Sequence, residues 1–182
     1  SFARFFQELL VLPNIRVELG VEALKHIQIR DGQILLDDRQ INTPVVYTGA
    51  LDELFGGVYG RLPYRSLRFE WKYDERDSLQ DAPVVAYPQE KGYTRITEYK
   101  KLPVQLGAGT SYAVEYPLAY REGAKQEPYY PVLTERSQQQ YRKYKTLADA
   151  VPNLICCGRL ADFKYYNMDQ ALERALDICK IL

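Results

Sequence analysis

Hydrophobic and polar positions recur with two different periods along this chain, and the changes of period mark out its elements. In "FARFFQELLVL", Phe2, Phe5, Phe6, Leu9 and Leu10 fall at helical spacing, and Pro13 ends the run. "NIRVELG" alternates as a strand does. "HIQIRDGQILLDD" sets two alternating runs either side of Asp31-Gly32, a dipeptide suited to a tight hairpin turn. "PVVYTG" reads as a buried strand ending at Gly49, and further strands are predicted in "RSLRFEWKYD", "PVVAYP", "YTRITEYKKL" and "TSYAVEYPL". "TERSQQQYRKYKTLADAV" returns to the helical period, with Tyr141, Tyr144, Leu147 and Val151 on one stripe and Thr134 as its N-cap. The apolar strand "NLICCG" then precedes a closing amphipathic helix, "MDQALERALDICKIL".

This order predicts an α+β fold: a mainly antiparallel sheet inserted in the C-terminal part of a layered α/β domain. Residues 1–40 (helix, strand, hairpin) and 134–182 (helix, strand, helix) are expected to belong to the layered domain, and residues 41–133 to the sheet. A strand near residue 15 and another near 155 are expected in one sheet, with the antiparallel block inserted between them. The chain opens mid-helix without methionine and reads as a fragment.

Composition narrows the function classes. With 24 basic and 24 acidic residues the net charge is zero, which argues against a nucleic acid or an anionic membrane surface as partner. No apolar run approaches the roughly 20 residues that span a bilayer, and a cytoplasmic location is expected. The three cysteines, two of them neighbours in an apolar strand, read as reduced, buried thiols. A single histidine and no CxxC point away from a metal site. Tyrosine is the unusual residue: there are 16. Each offers an aromatic face and a hydroxyl, suited to a polar ring-containing ligand as well as to ordinary sheet surfaces.

The turn "CCGRLADFKYYNMDQALERAL" concentrates candidate chemistry. Gly158 permits a close approach of backbone or ligand, and Asn167 suits the N-cap of the last helix, whose N-terminus favours a nearby anion. Arg159 adds a planar, charged donor fork. The structural alternative is an arginine paired with a surface carboxylate and tyrosines that pad a sheet edge. In "YTRITEYK" a strand puts Arg95, Thr97 and Tyr99 on one face and Thr94, Ile96, Glu98 and Lys100 on the other. Arg65 and Arg68 follow the same theme in "YRSLRFEW", and "EPYYPV" holds Tyr129 and Tyr130 extended between prolines.

Taken in order, "VVYTGALDELFGGVYGRLPYRSLRFE", "YTRITEYK", "EYPL", "EPYYPV" and "GRLADFKYYNMD" resemble the C-terminal half of the UDP-galactopyranose mutases, from about Asn14 to the end of the chain. The resemblance implies that the layered domain binds FAD and the sheet binds substrate. In that family reduced FAD interconverts the pyranose and furanose forms of UDP-galactose, for cell-surface glycan synthesis, without net electron transfer. Flavin attacks the anomeric carbon as UDP leaves, the ring opens through an iminium adduct and recloses on another hydroxyl, and UDP returns.

The resemblance also implies roles. Arg95, Tyr130 and Tyr165 are the catalytic candidates, with Arg95 neutralising the departing diphosphate. Arg65, Arg95, Tyr165 and one of Tyr129 and Tyr130 (Tyr130 favoured) would bind the nucleotide-sugar. Gly158, Arg159, Tyr165, Asn167, Met168 and Asp169 would meet FAD, with the helix N-terminus stabilising negative charge on the reduced ring. UDP-galactose and FAD are the implied ligands, with a homodimer for the full-length protein and no metal.

Departures from the family pattern are Asn167 where aspartate is usual, Ala86 where asparagine is usual, and "TEYKK" in place of a histidine-bearing strand. No GxGxxG follows a strand, the lid with its tryptophan has no counterpart, and Trp71 is assigned no role. The chain alone is therefore expected neither to retain FAD nor to turn over. The alternatives are a nucleotide-sugar-binding homologue without catalysis and another flavoprotein of amine-oxidase-like architecture.

Overall fold

A computed structural model describes residues 2–121 and 123–182, with the backbone alone for Phe2. Helix α1 (Phe2–Leu10) opens the chain, and a single 3-10 turn (Ala23–Lys25) leads into a small antiparallel sheet of β1 (Ile27–Arg30), β2 (Gln33–Leu36) and β3 (Arg39–Ile41). Asp31 and Gly32 take φ of 52° and 72°, the doubly left-handed turn that matches the twist of a two-residue hairpin, and Arg30 pairs with Gln33 across it. Strand β4 (Val45–Tyr47) and helix α2 (Leu51–Leu54) follow.

The centre of the molecule is a five-stranded antiparallel sheet. It comprises β5 (Tyr64–Asp74), β6 (Val84–Ala86), β7 (Arg95–Glu98), β8 (Thr110–Ala119) and β9 (Tyr130–Pro131), in the order β6-β7-β8-β5-β9. Helix α3 (Glu135–Asp149), β10 (Leu154–Cys156) and α4 (Met168–Cys179) close the chain. Thr134 caps α3 as its sequence predicts: its Oγ1 accepts from the Ser137 N–H at 3.1 Å, and Ser137 Oγ accepts the Thr134 N–H at 2.9 Å.

β4 and β10 pair in parallel, Val45 with Leu154 and Tyr47 with Cys156, so the antiparallel sheet lies between two strands that pair with each other. The partner of the strand near 155 is thus β4 and not a strand near residue 15. "NIRVELG" forms no strand, and every residue from Ala3 to Ala23 is exposed. Alternation makes a ribbon with two faces, but a strand exists only where its N–H and C=O groups meet a neighbour. Val45–Tyr47 has one in β10; among the described residues, residues 14–20 have none.

The core joins both parts. Tyr47, Leu51, Tyr64, Tyr144, Cys156 and Phe163 pack together with small residues between them. Tyr144 is wholly buried because its hydroxyl finds partners: it donates to the Gly60 carbonyl at 2.7 Å and accepts the Tyr59 N–H at 2.9 Å. Cys156 and Cys157 are free, buried thiols as expected, but Cys179 is exposed on α4. No helix of the described residues is long and apolar enough to cross a membrane.

Candidate functional site

Strand pairing decides which side chains meet. Arg65 lies opposite both Ala119 and Tyr130, Leu67 opposite Pro117, Phe69 opposite Glu115, and Arg95 opposite both Glu115 and Ala86. Directly paired residues share a face, so Arg65, Tyr130, Ala86, Arg95 and Glu115 all project from one side of the sheet. The turn after β10 brings Tyr165 to the same side. Together with Arg65, Ala86, Arg95, Glu115 and Tyr130 it lines a cleft of about 680 Å³. A hollow of similar size (about 670 Å³) between the β1–β2 turn and the C-terminus has no arginine or tyrosine in its lining.

Arg95 is held by a buried acid. Its Nε and Nη2 donate to the two carboxylate oxygens of Glu115 at 2.9 and 2.6 Å, and the Thr97 hydroxyl lies 3.3 Å from the same carboxylate. Glu115 is 4% exposed. Its hydrogen bonds raise the guanidinium pKa against the opposing effect of burial, so Arg95 stays charged. Of the five N–H groups of a guanidinium, two go to Glu115, which leaves three for a ligand. Sequence reasoning missed Glu115. It stands first in the string "EYPL" and on the inward face of an alternating strand, but the strand pairing that joins it to Arg95 is not written in either segment alone.

Tyr130 and Tyr165 stack at 5.1 Å with 17° between their planes. The Arg159 guanidinium carbon lies 4.7 Å from the Tyr130 ring centre and 5.3 Å from that of Tyr165. Two of its N–H donors reach the carbonyls of Tyr129 at 3.2 Å and Tyr166 at 2.6 Å. Arg159 therefore braces the tyrosine pair and ties β9 to the turn, and it does not line the cleft. Tyr129 contributes that carbonyl, while its own N–H extends the sheet to Arg65 O at 2.9 Å; its ring is outside the cleft lining.

Gly158 has φ of +97°, which a residue with a β-carbon adopts only under strain. Asn167 occupies the N-cap of α4, where its N–H donates to Gln170 Oε1 at 2.9 Å, and Asn167, Met168 and Asp169 are all exposed. The helix begins with backbone N–H groups and an exposed side, a setting that favours a nearby anion. None of these residues forms the glycine-rich turn that holds a dinucleotide's diphosphate. Among the described residues no three His, Cys, Asp or Glu side chains converge as a metal ion requires.

The family model for UDP-galactopyranose mutase matches residues 1–165. A UDP-galactopyranose mutase of Mycoplasma pneumoniae is 37% identical over 181 residues, covering 97% of this chain and 45% of the relative. One of Mycoplasma genitalium is 34% identical over 176 residues, covering 94% of this chain and 43% of the relative. A dTDP-fucopyranose mutase of Escherichia coli is 33% identical over 184 residues, covering 100% of this chain and 47% of the relative. The chain thus spans under half the length of these relatives. With a sheet and turn that gather two arginines and two tyrosines in one cleft, and a family match over most of its residues, the chain belongs to the UDP-galactopyranose mutase family.

Proposed function

We propose that this chain forms the sugar-nucleotide-facing part of a flavin-dependent mutase that interconverts UDP-galactopyranose and UDP-galactofuranose. The observation that carries the reading is the shared cleft of Arg65, Arg95, Tyr130 and Tyr165. A nucleotide-sugar is a dianionic diphosphate between two rings. Two guanidinium groups on one sheet face supply donors to the diphosphate, and stacked phenols supply hydroxyls and a flat wall.

As the bond between the anomeric carbon and the diphosphate breaks, negative charge grows on the leaving oxygen. Arg95, held charged and oriented by Glu115, stabilises that charge without having to reorganise. Tyr130 and Tyr165 hold the sugar against the turn. FAD would be held at its ring edge by Gly158, Tyr165 and the start of α4, and in reduced form would supply the nucleophile for the anomeric carbon. Its diphosphate would be held by parts of the family's length beyond this chain. The isolated chain is accordingly inactive in this reading.

A second substrate is favoured by one residue. Ala86 lies directly opposite Arg95 and lines the cleft with a methyl group. One relative is a dTDP-fucopyranose mutase, and an apolar wall accommodates a deoxysugar. The test is a titration of the chain with UDP-galactose and with dTDP-fucose, followed by amide NMR. Weak binding, in roughly the millimolar range, should shift the signals of β5, β7, β9 and residues 158–167, and R95A should abolish it. Shifts confined to other surfaces would remove the cleft from substrate binding. The tighter ligand identifies the sugar.

A further inference from the structure

We propose that Asp162 is a positioning residue that locks the turn presenting Arg159 and Tyr165. The proposal rests on the reading above, in which that turn meets flavin and substrate. Asp162 is 8% exposed, and its Oδ2 draws in three groups, two from the turn and one from α4. The Gly158 N–H donates to it at 3.1 Å, the Tyr166 hydroxyl at 3.2 Å and Arg174 Nε of α4 at 3.2 Å. Arg174 Nη2 donates in addition to the Cys156 carbonyl at 3.1 Å, which fastens α4 to the end of β10.

The arrangement closes a circuit. Asp162 fixes Gly158 at the start of the turn and Tyr166 at its end. The carbonyl of Tyr166 receives Arg159, and Arg159 lies against Tyr130 and Tyr165 in the cleft. Two further bonds set the intervening residues, from the Asp162 N–H to Gly158 O at 2.9 Å and from the Lys164 N–H to Arg159 O at 3.1 Å. One carboxylate oxygen thus accepts from an amide, a phenol and a guanidinium. Asp162 touches none of the cleft. It acts through Arg159.

Two roles are separable. If Asp162 only neutralises Arg174, removing both charges restores order; if it is the acceptor that shapes the turn, removing both does not. The experiment compares D162A, D162A/R174L and Y166F in this chain by amide hydrogen exchange and by the Arg159 Nε–H NMR signal. D162A should speed exchange at Gly158 and Lys164 at least 10-fold and broaden or shift the Arg159 signal, while exchange in β5 and α3 is unchanged. D162A/R174L should keep the defect, and Y166F should reproduce part of it. Should D162A fail to fold, D162N, which keeps one oxygen, serves for the same comparison.

Unchanged Gly158 exchange in D162A, or full recovery in D162A/R174L, overturns the proposal. These signals need no flavin. A whole enzyme that does not bind flavin would therefore defeat the functional reading and leave this one standing.

Discussion

Arg95 and Glu115 form a contact that serves folding and, under the proposed function, binding, and the two contributions can be separated. Substitution R95A removes the cleft's best-held cation and leaves the Glu115 carboxylate, 4% exposed, with Thr97 as its remaining side-chain partner among the described residues. Because Arg95 is itself partly exposed, the loss of stability should be discounted from a fully buried pair to about 1–2 kcal/mol. R95A/E115Q should recover most of that loss, because a neutral amide tolerates burial better than an unpaired charge. Turnover of the flavin-loaded whole enzyme should fall about 100-fold or more in both variants. Urea unfolding and a pyranose–furanose assay measure the two effects. If the double variant regains turnover, Arg95 has no role at the diphosphate. Arg95 drew a role in the sequence from its strand face and its family string, whereas Glu115 and Asp162 stand in the strings "EYPL" and "GRLADFKYYNMD" and drew none. Each of those acids acquires its function from partners that only the folded chain brings near.

At the scale of elements, two local devices carry testable energy. The β1–β2 turn was legible because Asp-Gly is a local signal, and it folded as read. Gly32, at φ of 72°, has only the Ala150 carbonyl at ordinary contact distance from where a β-carbon would stand, so G32A tests backbone strain alone and should cost about 1 kcal/mol in urea unfolding. Glu98 is the second device. It is wholly buried at the end of β7. Its Oε1 accepts the Leu79 N–H at 3.0 Å and the Thr110 hydroxyl at 2.8 Å, and its Oε2 accepts the Gln80 N–H at 3.2 Å. Burial pushes its carboxyl pKa up, but these donors and Lys101 together outweigh burial and leave it below the usual 4.5. A depressed carboxyl pKa stabilises the fold above the unfolded-state value, and that stability is lost as pH falls through the folded-state value. E98Q should cost about 1–3 kcal/mol at pH 7 and flatten the decline of stability below pH 4.5. An unchanged acid profile would show that Glu98 binds its proton equally in both states. By contrast, the strand expected at 14–20 failed because alternation reports faces and not partners.

The whole molecule is unevenly covered. Its antiparallel sheet has five strands, whereas the parallel pair β4–β10 has no third strand among the described residues. Parallel sheets are ordinarily covered on both faces, and α4 shows Met168, Leu172 and Leu176 as an exposed stripe. The α/β layer proposed from the family resemblance would account for both. Phe5, Phe6, Leu9 and Leu10 of α1 are likewise exposed, as are all residues from Ala3 to Ala23. Apolar side chains that gain no burial contribute nothing to folding, and a patch of them promotes association. Deleting residues 1–21 should therefore change the unfolding free energy by less than about 0.5 kcal/mol while reducing self-association in sedimentation. A loss above roughly 1 kcal/mol would place α1 against the core. A deletion that leaves stability and association both unchanged would move the sticky surface to α4, where L172E and L176E would then suppress it.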